Sequence, residues 1–352
     1  MKFIHSADIH LGSKNDSRFP KEIADEIKAE LRSAFKGMVE YAKSSGVFLI
    51  LLSGDVFDSD RPFKKDKDFF YSVVKNNPEI TFLYLKGNHD TGESFDEELP
   101  NLKLFSDKWT AYEFGGVNFY GIEMTKENSS SLYSTFSAAK DDKNVVLLHG
   151  AKGGVGNGSV NLLRFRDKNI DYLALGHIHG YSAEKFDDRG VAVYSGCLFG
   201  RGYDETGEKG FVLVEEENGK FNYEFKTLSD RIIREENVDI SGVKDAYEAA
   251  EIIKKSVAAG RNDIVRVNLV GELDDKIDDL AADAERLLLG RYAYASVKDK
   301  TKIKFDISAY SHDNSLIGEF IRAVDESEYP EEDKREIIAY GLKALKGESV
   351  EQ

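Results

Sequence analysis

Apolar residues gather along the first half of the chain in short runs, and each run stops at a residue able to do chemistry. Val47 to Leu52 is a run of six apolar residues between Gly46 and Gly54, and it leads into Asp55. A run of that kind predicts a strand buried on both faces, as in a parallel sheet covered by helices. Lys2 to Ser6 leads into Asp8-Ile9-His10, and Ile80 to Leu85 into Gly87-Asn88-His89-Asp90. Val145 to Leu148 ends at His149, and Tyr172 to Leu175 at Gly176-His177-Ile178-His179. Parallel sheets place their chemistry at the carboxyl ends of their strands, which makes these five endings candidates for function.

Between these runs the spacing changes. Pro20 to Ser44 has helical spacing at Ile23, Ile27, Leu31, Phe35 and Val39, and Asp66 to Lys75 reads as a second helix. Strand and helix alternate to about Leu104, predicting a layered α/β core. Hairpin signals follow: Ala111–Phe114 and Val117–Ile122 around Gly115-Gly116, Lys185–Phe186 and Val191–Tyr194 around Asp187–Gly190, and Phe211–Val214 and Phe221–Phe225 around Asn218-Gly219. The middle third is therefore expected to supply antiparallel strands. The expected fold class is α/β (α+β), two sheets packed together and flanked by helices. A boundary is expected near Arg231 to Asp239, giving a first domain over 1–232. A small α/β module over 239–308 follows, with helices at 244–258 and 275–289 and strands at 264–270 and 294–305. Two amphipathic helices, 315–324 and 331–345, form a C-terminal segment over 313–348 that could bind a partner or cover the chain's own core.

Composition narrows the class. With 352 residues, 41% hydrophobic and 32% charged, this is the composition of a folded soluble protein larger than one average domain. No signal-peptide pattern or transmembrane-length run is present, so a cytoplasmic location is expected. The one cysteine, Cys197, excludes an internal disulfide and a Cys-based metal site. The formal net charge of -16 weighs against casual nucleic-acid binding, which draws on Lys and Arg. It is divided, however: about -9 lies in residues 233–352 and about -7 in residues 1–232. Two bound divalent ions would offset much of the latter.

Six of the seven histidines lie in or beside the strand-end clusters. Asp8 and His10 are two apart, as are His177 and His179, so in extended chain each pair projects from one face. Imidazole with carboxylate suits manganese, iron or zinc, and Asn88 adds an amide oxygen of the kind hard ions accept. A two-metal site needs a bridge, and the Asp55 carboxylate is best placed to be one. Lys14, Arg18 and Arg61, with Lys64, Lys65 and Lys67, could meet a phosphate backbone near such a site. Arg201, set among Gly200, Gly202 and Tyr203, could do the same. The glycine-rich stretch Gly153–Gly158 fails both dinucleotide and P-loop registers and reads as a rim loop beside His149. His5 reads as structural.

The set Asp8-x-His10, Gly54-Asp55-x-x-Asp58, Gly87-Asn88-His89-Asp90, His149 and Gly176-His177-x-His179 resembles the calcineurin-like metallophosphoesterases over residues 1 to about 180. His5 to Gly12, Gly54 to Asp58 followed by Arg61-Pro62, Tyr194-Ser195-Gly196 and Glu205-x-x-x-Lys209-Gly210 resemble the SbcD-type DNA repair exonucleases in particular. That resemblance implies a capping domain after the core, one metal on Asp8, His10, Asp55 and His179, and another on Asp55, Asn88, His149 and His177. It implies His89 as the catalytic histidine, stabilising the transition state or protonating the leaving oxygen, with Asp58 orienting a ligand or His89. It further implies manganese as the metal, with Fe²⁺ or Zn²⁺ as other candidates. The implied substrate is DNA, cut by exonuclease and possible endonuclease action, with an SMC-type ATPase of the SbcC kind as partner in a homodimer and no membrane involvement. A phosphatase or small-molecule phosphodiesterase using the same metals is the alternative, and a non-catalytic subunit that keeps the fold is a third class.

Overall fold

The computed structural model describes residues 1–14, 19–90, 98–153, 158–304 and 313–345. The chain divides into two units. The first holds Met1–Glu235 with Ala259–Val265 and Tyr292–Tyr294, and the second holds Glu236–Ala258, Arg266–Arg291 and Ala295–Gln352.

The first unit opens with β1 (Lys2–Ser6), α1 (Lys21–Ser44), β2 (Leu49–Ser53), α2 (Lys64–Lys75), β3 (Thr81–Leu85) and β4 (Leu102–Leu104). It continues with β5 (Thr110–Phe114), β6 (Val117–Gly121), α3 (Leu132–Thr135), β7 (Lys143–His149), β8 (Ala151–Lys152) and β9 (Ser159–Val160). It ends with β10 (Tyr172–Gly176), β11 (Ser182–Lys185), β12 (Val191–Tyr194), β13 (Gly210–Glu217) and β14 (Lys220–Thr227). Two six-stranded sheets result, ordered β14-β13-β1-β2-β3-β4 and β11-β12-β10-β7-β6-β5.

Alternation decides what each strand face touches. In β2, Leu49 and Leu51 enter the core between the sheets with Phe3, Leu83, Val145 and Leu147. Ile50 and Leu52 turn the other way, onto Leu31, Phe35 and Met38 of α1 and Phe70 and Val74 of α2. Each such side chain contributes roughly 1.5–3 kcal/mol on burial, so a strand apolar on both faces is held from both. The run is shorter than its sequence suggests: Phe48 lies before the strand and is 41% exposed. The helix α1 begins after Pro20 and carries Glu22 in its first turn and Lys43 in its last, each of the sign that suits its end of the helix dipole.

The two-sheet sandwich flanked by helices is therefore found, with one difference in pairing. The middle third is parallel at its centre: β6, β7, β10 and β12 run parallel, and among the described residues of this unit antiparallel strand pairing is confined to β5–β6, β11–β12, the β13–β14 hairpin and β13 against β1. The hairpin signals are real, but they sit at sheet edges. The central strands are buried like those of the first sheet, and tertiary burial overrides the local turn pattern.

The second unit holds α4 (Ala246–Ser256), β17 (Glu272–Leu273), α5 (Leu280–Leu287) and β19 (Lys302–Ile303), with most of β15 (Ile233–Asp239), β16 (Ile264–Val270) and β18 (Tyr294–Asp299), three strands whose first residues belong to the first unit. Strands β15, β16 and β18 form a three-stranded sheet. Asp245 caps α4 by accepting from the Glu248 N–H. The helices α6 (Leu316–Asp325) and α7 (Glu331–Leu345) share a small core of Ile321, Val324 and Ile338. Among the described residues no helix is long and apolar enough to cross a membrane.

Candidate metal centre

Strands β1, β2 and β3 run parallel in one sheet, β7 and β10 in the other, and β2 faces both β7 and β10 across the core. Their carboxyl ends therefore deliver Asp8, His10, Asp55, Asn88, His149, His177 and His179 to one place. The backbone does not stay extended while doing so. Asp8, His10, Asp55 and His177 have φ of 52°, 53°, 54° and 99°, half of the eight non-glycine residues with positive φ among the described residues. Left-handed backbone costs these residues energy and clusters at functional sites. The expectation that each two-apart pair projects from one extended face is thus corrected: the chain turns at these residues and aims each side chain separately.

The turned loops are stitched together. Asp8, His10 and Leu11 donate their N–H groups to the carbonyls of Gly54, Asp55 and Val56 at 3.0, 2.9 and 2.8 Å. The His177 N–H reaches both Asp8 oxygens at 3.0 and 2.9 Å. Close approach needs glycine at Gly54, where φ is 94° and a Cβ would stand 2.2 Å from His149 Nδ1.

Two groups of donor atoms share Asp55. In one, His10 Nε2 lies 3.3 Å from His179 Nε2 and 3.7 Å from Asp55 Oδ2, and His179 Nε2 lies 3.9 Å from Asp8 Oδ1. In the other, Asn88 Oδ1 lies 3.0 Å from both His149 Nε2 and His177 Nδ1, and His149 Nε2 is 3.3 Å from Asp55 Oδ2. The far ring nitrogens each meet an oxygen. His149 Nδ1 donates to the Ser53 carbonyl at 2.9 Å, His10 Nδ1 faces Asp58 Oδ1 at 3.0 Å, and His179 Nδ1 faces Glu205 Oε1 at 2.7 Å. Each of those imidazoles turns its Nε2 toward other atoms that carry lone pairs. Such convergence is unfavourable without a cation, and this donor set fits divalent ions.

Protonation follows the same geometry. Burial works against the Asp55 charge, but the hydrogen bond and charge of His149, with His10 and the His89 N–H, outweigh it and hold its pKa below the usual carboxylate range. Burial pushes Asp8 up to about 6 against the nearby imidazoles. His149 is also buried, yet Asp55 and Asp8 raise it to about 9. Burial takes His10 down to about 4 despite Asp58, and it lowers His177 as well. A proton on His149 supplies part of the positive charge that the cluster demands.

The remaining expected residues fall in several places. His89 is exposed at the mouth, its N–H donating to Asp55 Oδ1 at 2.8 Å and its ring 5.0 Å from that of His10. Asp58 belongs with His10 and His89 in a third acidic and imidazole group. Lys14 and Arg61 are exposed, whereas Arg18 and most of the glycine-rich stretch, residues 154–157, lie outside the described residues. Arg201 differs from its sequence reading: it is 7% exposed and its Nη1 donates to Asp58 Oδ1 at 3.0 Å, so it faces carboxylates within the protein. His5 is fully buried beneath the site, Nδ1 3.0 Å from the Tyr172 hydroxyl. Two residues went without a role in the sequence. Glu205 meets His179, and its only signal was its place in the Glu205-x-x-x-Lys209 pattern. Asp90 accepts from the N–H groups of Val56 and Gly87 at 2.9 and 2.5 Å and from the Tyr84 hydroxyl.

Residues 1–181 match the calcineurin-like phosphoesterase family. The chain belongs to that family, whose fold implies a dimetal site. It is 30% identical over 275 residues to the uncharacterized metallophosphoesterase YhaO of Bacillus subtilis, aligning 72% of this chain with 67% of that one. It is 27% identical over 237 residues to the DNA double-strand break repair protein Mre11 of Methanocaldococcus jannaschii, aligning 61% of this chain with 62% of that one. Among solved structures, the protein TT1561 of Thermus thermophilus aligns with 64% of this chain and 98% of its own at 13% identity and a TM-score of 0.40. A dimetal phosphatase from Danio rerio aligns with 61% of this chain and 92% of its own at 12% identity and a TM-score of 0.41. Both structural alignments are loose.

Proposed function

We propose that this metallophosphoesterase is a manganese-dependent phosphodiesterase that cleaves DNA as an exonuclease. The observation that carries the hydrolytic part is the convergence of imidazole, carboxylate and amide donor atoms on the two sides of Asp55. Asp8, His10, Asp55 and His179 would hold one ion, and Asp55, Asn88, His149 and His177 the other. When bound, such ions make water available as a nucleophile at neutral pH and offset charge building on the phosphoryl group. The protein's own part is to aim the ligands and to bring His89, the exposed imidazole beside them, to the leaving oxygen as proton donor. Lys14 and Arg61, both exposed, would meet the phosphate backbone.

The similarity to an archaeal double-strand break repair protein supports DNA as substrate. The proposal extends to an SMC-type ATPase of the SbcC kind as partner, a homodimer, and a place in the reducing cytoplasm, where the buried thiol of Cys197 would stay free. Residues 239–308 would cap the substrate and 313–348 would meet the partner, which would also supply positive surface that this acidic chain lacks. The charge of -16 favours one second reading, a phosphatase or small-molecule phosphodiesterase with the same metals. Nuclease activity with manganese on end-labelled linear DNA, beside a generic phosphodiester and a nucleoside phosphomonoester, separates the two. Degradation of DNA lost in both His89→Ala and Asp55→Asn, with metal occupancy kept only in the former, is the expected result. Turnover of the small substrates alone, with the same residue dependence, would overturn the DNA assignment.

A further inference from the structure

The two groups of donors are not supported in the same way. His149 takes its orientation from a backbone carbonyl, that of Ser53, and among the described residues its outer nitrogen meets no carboxylate. His10 and His179 instead each rest on a carboxylate, Asp58 and Glu205 respectively, at 3.0 and 2.7 Å. Glu205 is 2% exposed and Asp58 is half-buried, so both charges need a counter-charge.

One guanidinium answers both. Arg201 Nε lies 3.1 Å from each Glu205 oxygen, Nη2 bonds Glu205 Oε1, and the Arg201 N–H donates to Oε2 at 2.7 Å. The remaining arm, Nη1, reaches Asp58 Oδ1 at 3.0 Å, the same oxygen that His10 meets. The turn from Arg201 to Glu205 is closed by the Glu205 N–H on the Gly202 carbonyl at 2.9 Å. Lys209 fixes the other end of the arrangement, its Nζ donating to the His179 carbonyl at 3.0 Å.

We propose that Arg201 is a positioning residue that holds Asp58 and Glu205 as one unit, so that His10 and His179 are aimed together at a single cation while the second cation position is held independently. This rests on the dimetal reading above and extends it to residues outside the ligand set. A planar fork of fixed donors can grip two carboxylates at once in a way a lysine ammonium on a flexible stem does not. Loss of such a carboxylate–histidine support generally weakens metal affinity about 10–100-fold.

The test is a manganese titration of the metal-freed full chain, read by electron paramagnetic resonance, for wild type, Arg201→Met, Arg201→Lys, Glu205→Gln and Asn88→Ala. The wild type is expected to bind two ions per chain and to show the exchange-coupled signal of a bridged pair. Arg201→Met should weaken one ion about tenfold or more, keep the other within about twofold, and leave the signal of isolated manganese. Arg201→Lys and Glu205→Gln, which conserve volume, are expected to do the same to a smaller degree and keep the test alive if Arg201→Met does not fold. Asn88→Ala should spare the ion that Arg201→Met weakens. Equal weakening of both ions, or a melting temperature that falls while both affinities stay, would overturn the clamp and leave the dimetal reading standing. A wild type that binds fewer than two ions would overturn that reading and the proposal with it.

Discussion

At the scale of single residues, burial decides which titratable groups the protein can charge. His5 is fully buried in the core between the sheets, and burial is the chief reason its pKa falls to about 3 from an ordinary 6.5. A histidine held neutral in the fold takes up a proton on unfolding, so its contribution to stability is fully present above pH 6.5 and is lost progressively as pH falls toward 3. At about pH 5 the loss from this residue is about 2 kcal/mol. In urea unfolding at about pH 7.5 and about pH 5, His5→Gln is expected to lose about 2 kcal/mol less than wild type between the two. Equal losses would show that His5 is not held neutral. The sequence placed His5 correctly because its neighbour pattern sets it on the strand, short of the ligand pair. Arg201 is the opposite case. Flanking glycines suggested a residue offered to substrate, and nothing local announced that Asp58, 143 positions away, would claim it.

At the scale of elements, the five strands that lead into Asp, Asn or His are legible because a continuous apolar run and the polar residues that follow it are local facts. What the sequence did not carry was the backbone at those ends. Left-handed φ at Asp8, His10, Asp55 and His177 is imposed by cross-loop bonds such as those from Asp8 to Gly54 and from His177 to Asp8. Asp90 shows how these loops are kept in place. Its buried carboxylate spans the loop after β2, at Val56, and the loop after β3, at Gly87, with Tyr84 as its third donor. Burial raises its pKa, and the bonds from Tyr84 and Gly87 work the other way to hold the charge. Asp90→Asn places an NH₂ against one of those donors and is expected to cost roughly 1–3 kcal/mol. Chemical denaturation should show the loss, and amide exchange should quicken at Val56 and Gly87 together. Quickening at only one of them would mean the two loops are held separately.

At the scale of the whole molecule, the sandwich brings ligands from both sheets to one edge, and neither sheet alone could complete either group of donors. Asp8, His10, Asp55 and Asn88 follow strands of the first sheet, and His149, His177 and His179 follow strands of the second. The order of motifs along the chain made the family visible, whereas the join between units was less so. Residues 259–265 and 292–294 belong to the first unit. Ile264 is part of its main core, and Asp263 accepts from the Ile232 N–H at 2.9 Å. No local turn signal marks a chain that returns. The claim on which the functional account depends is that the two groups of donors hold two divalent ions across Asp55. Anomalous diffraction from manganese-soaked crystals tests it most directly. Two manganese peaks per chain are expected, one between Asp55 and the pair His10 and His179, the other between Asp55 and the trio Asn88, His149 and His177. A single peak, or peaks that leave the Asp55 carboxylate untouched, would contradict it.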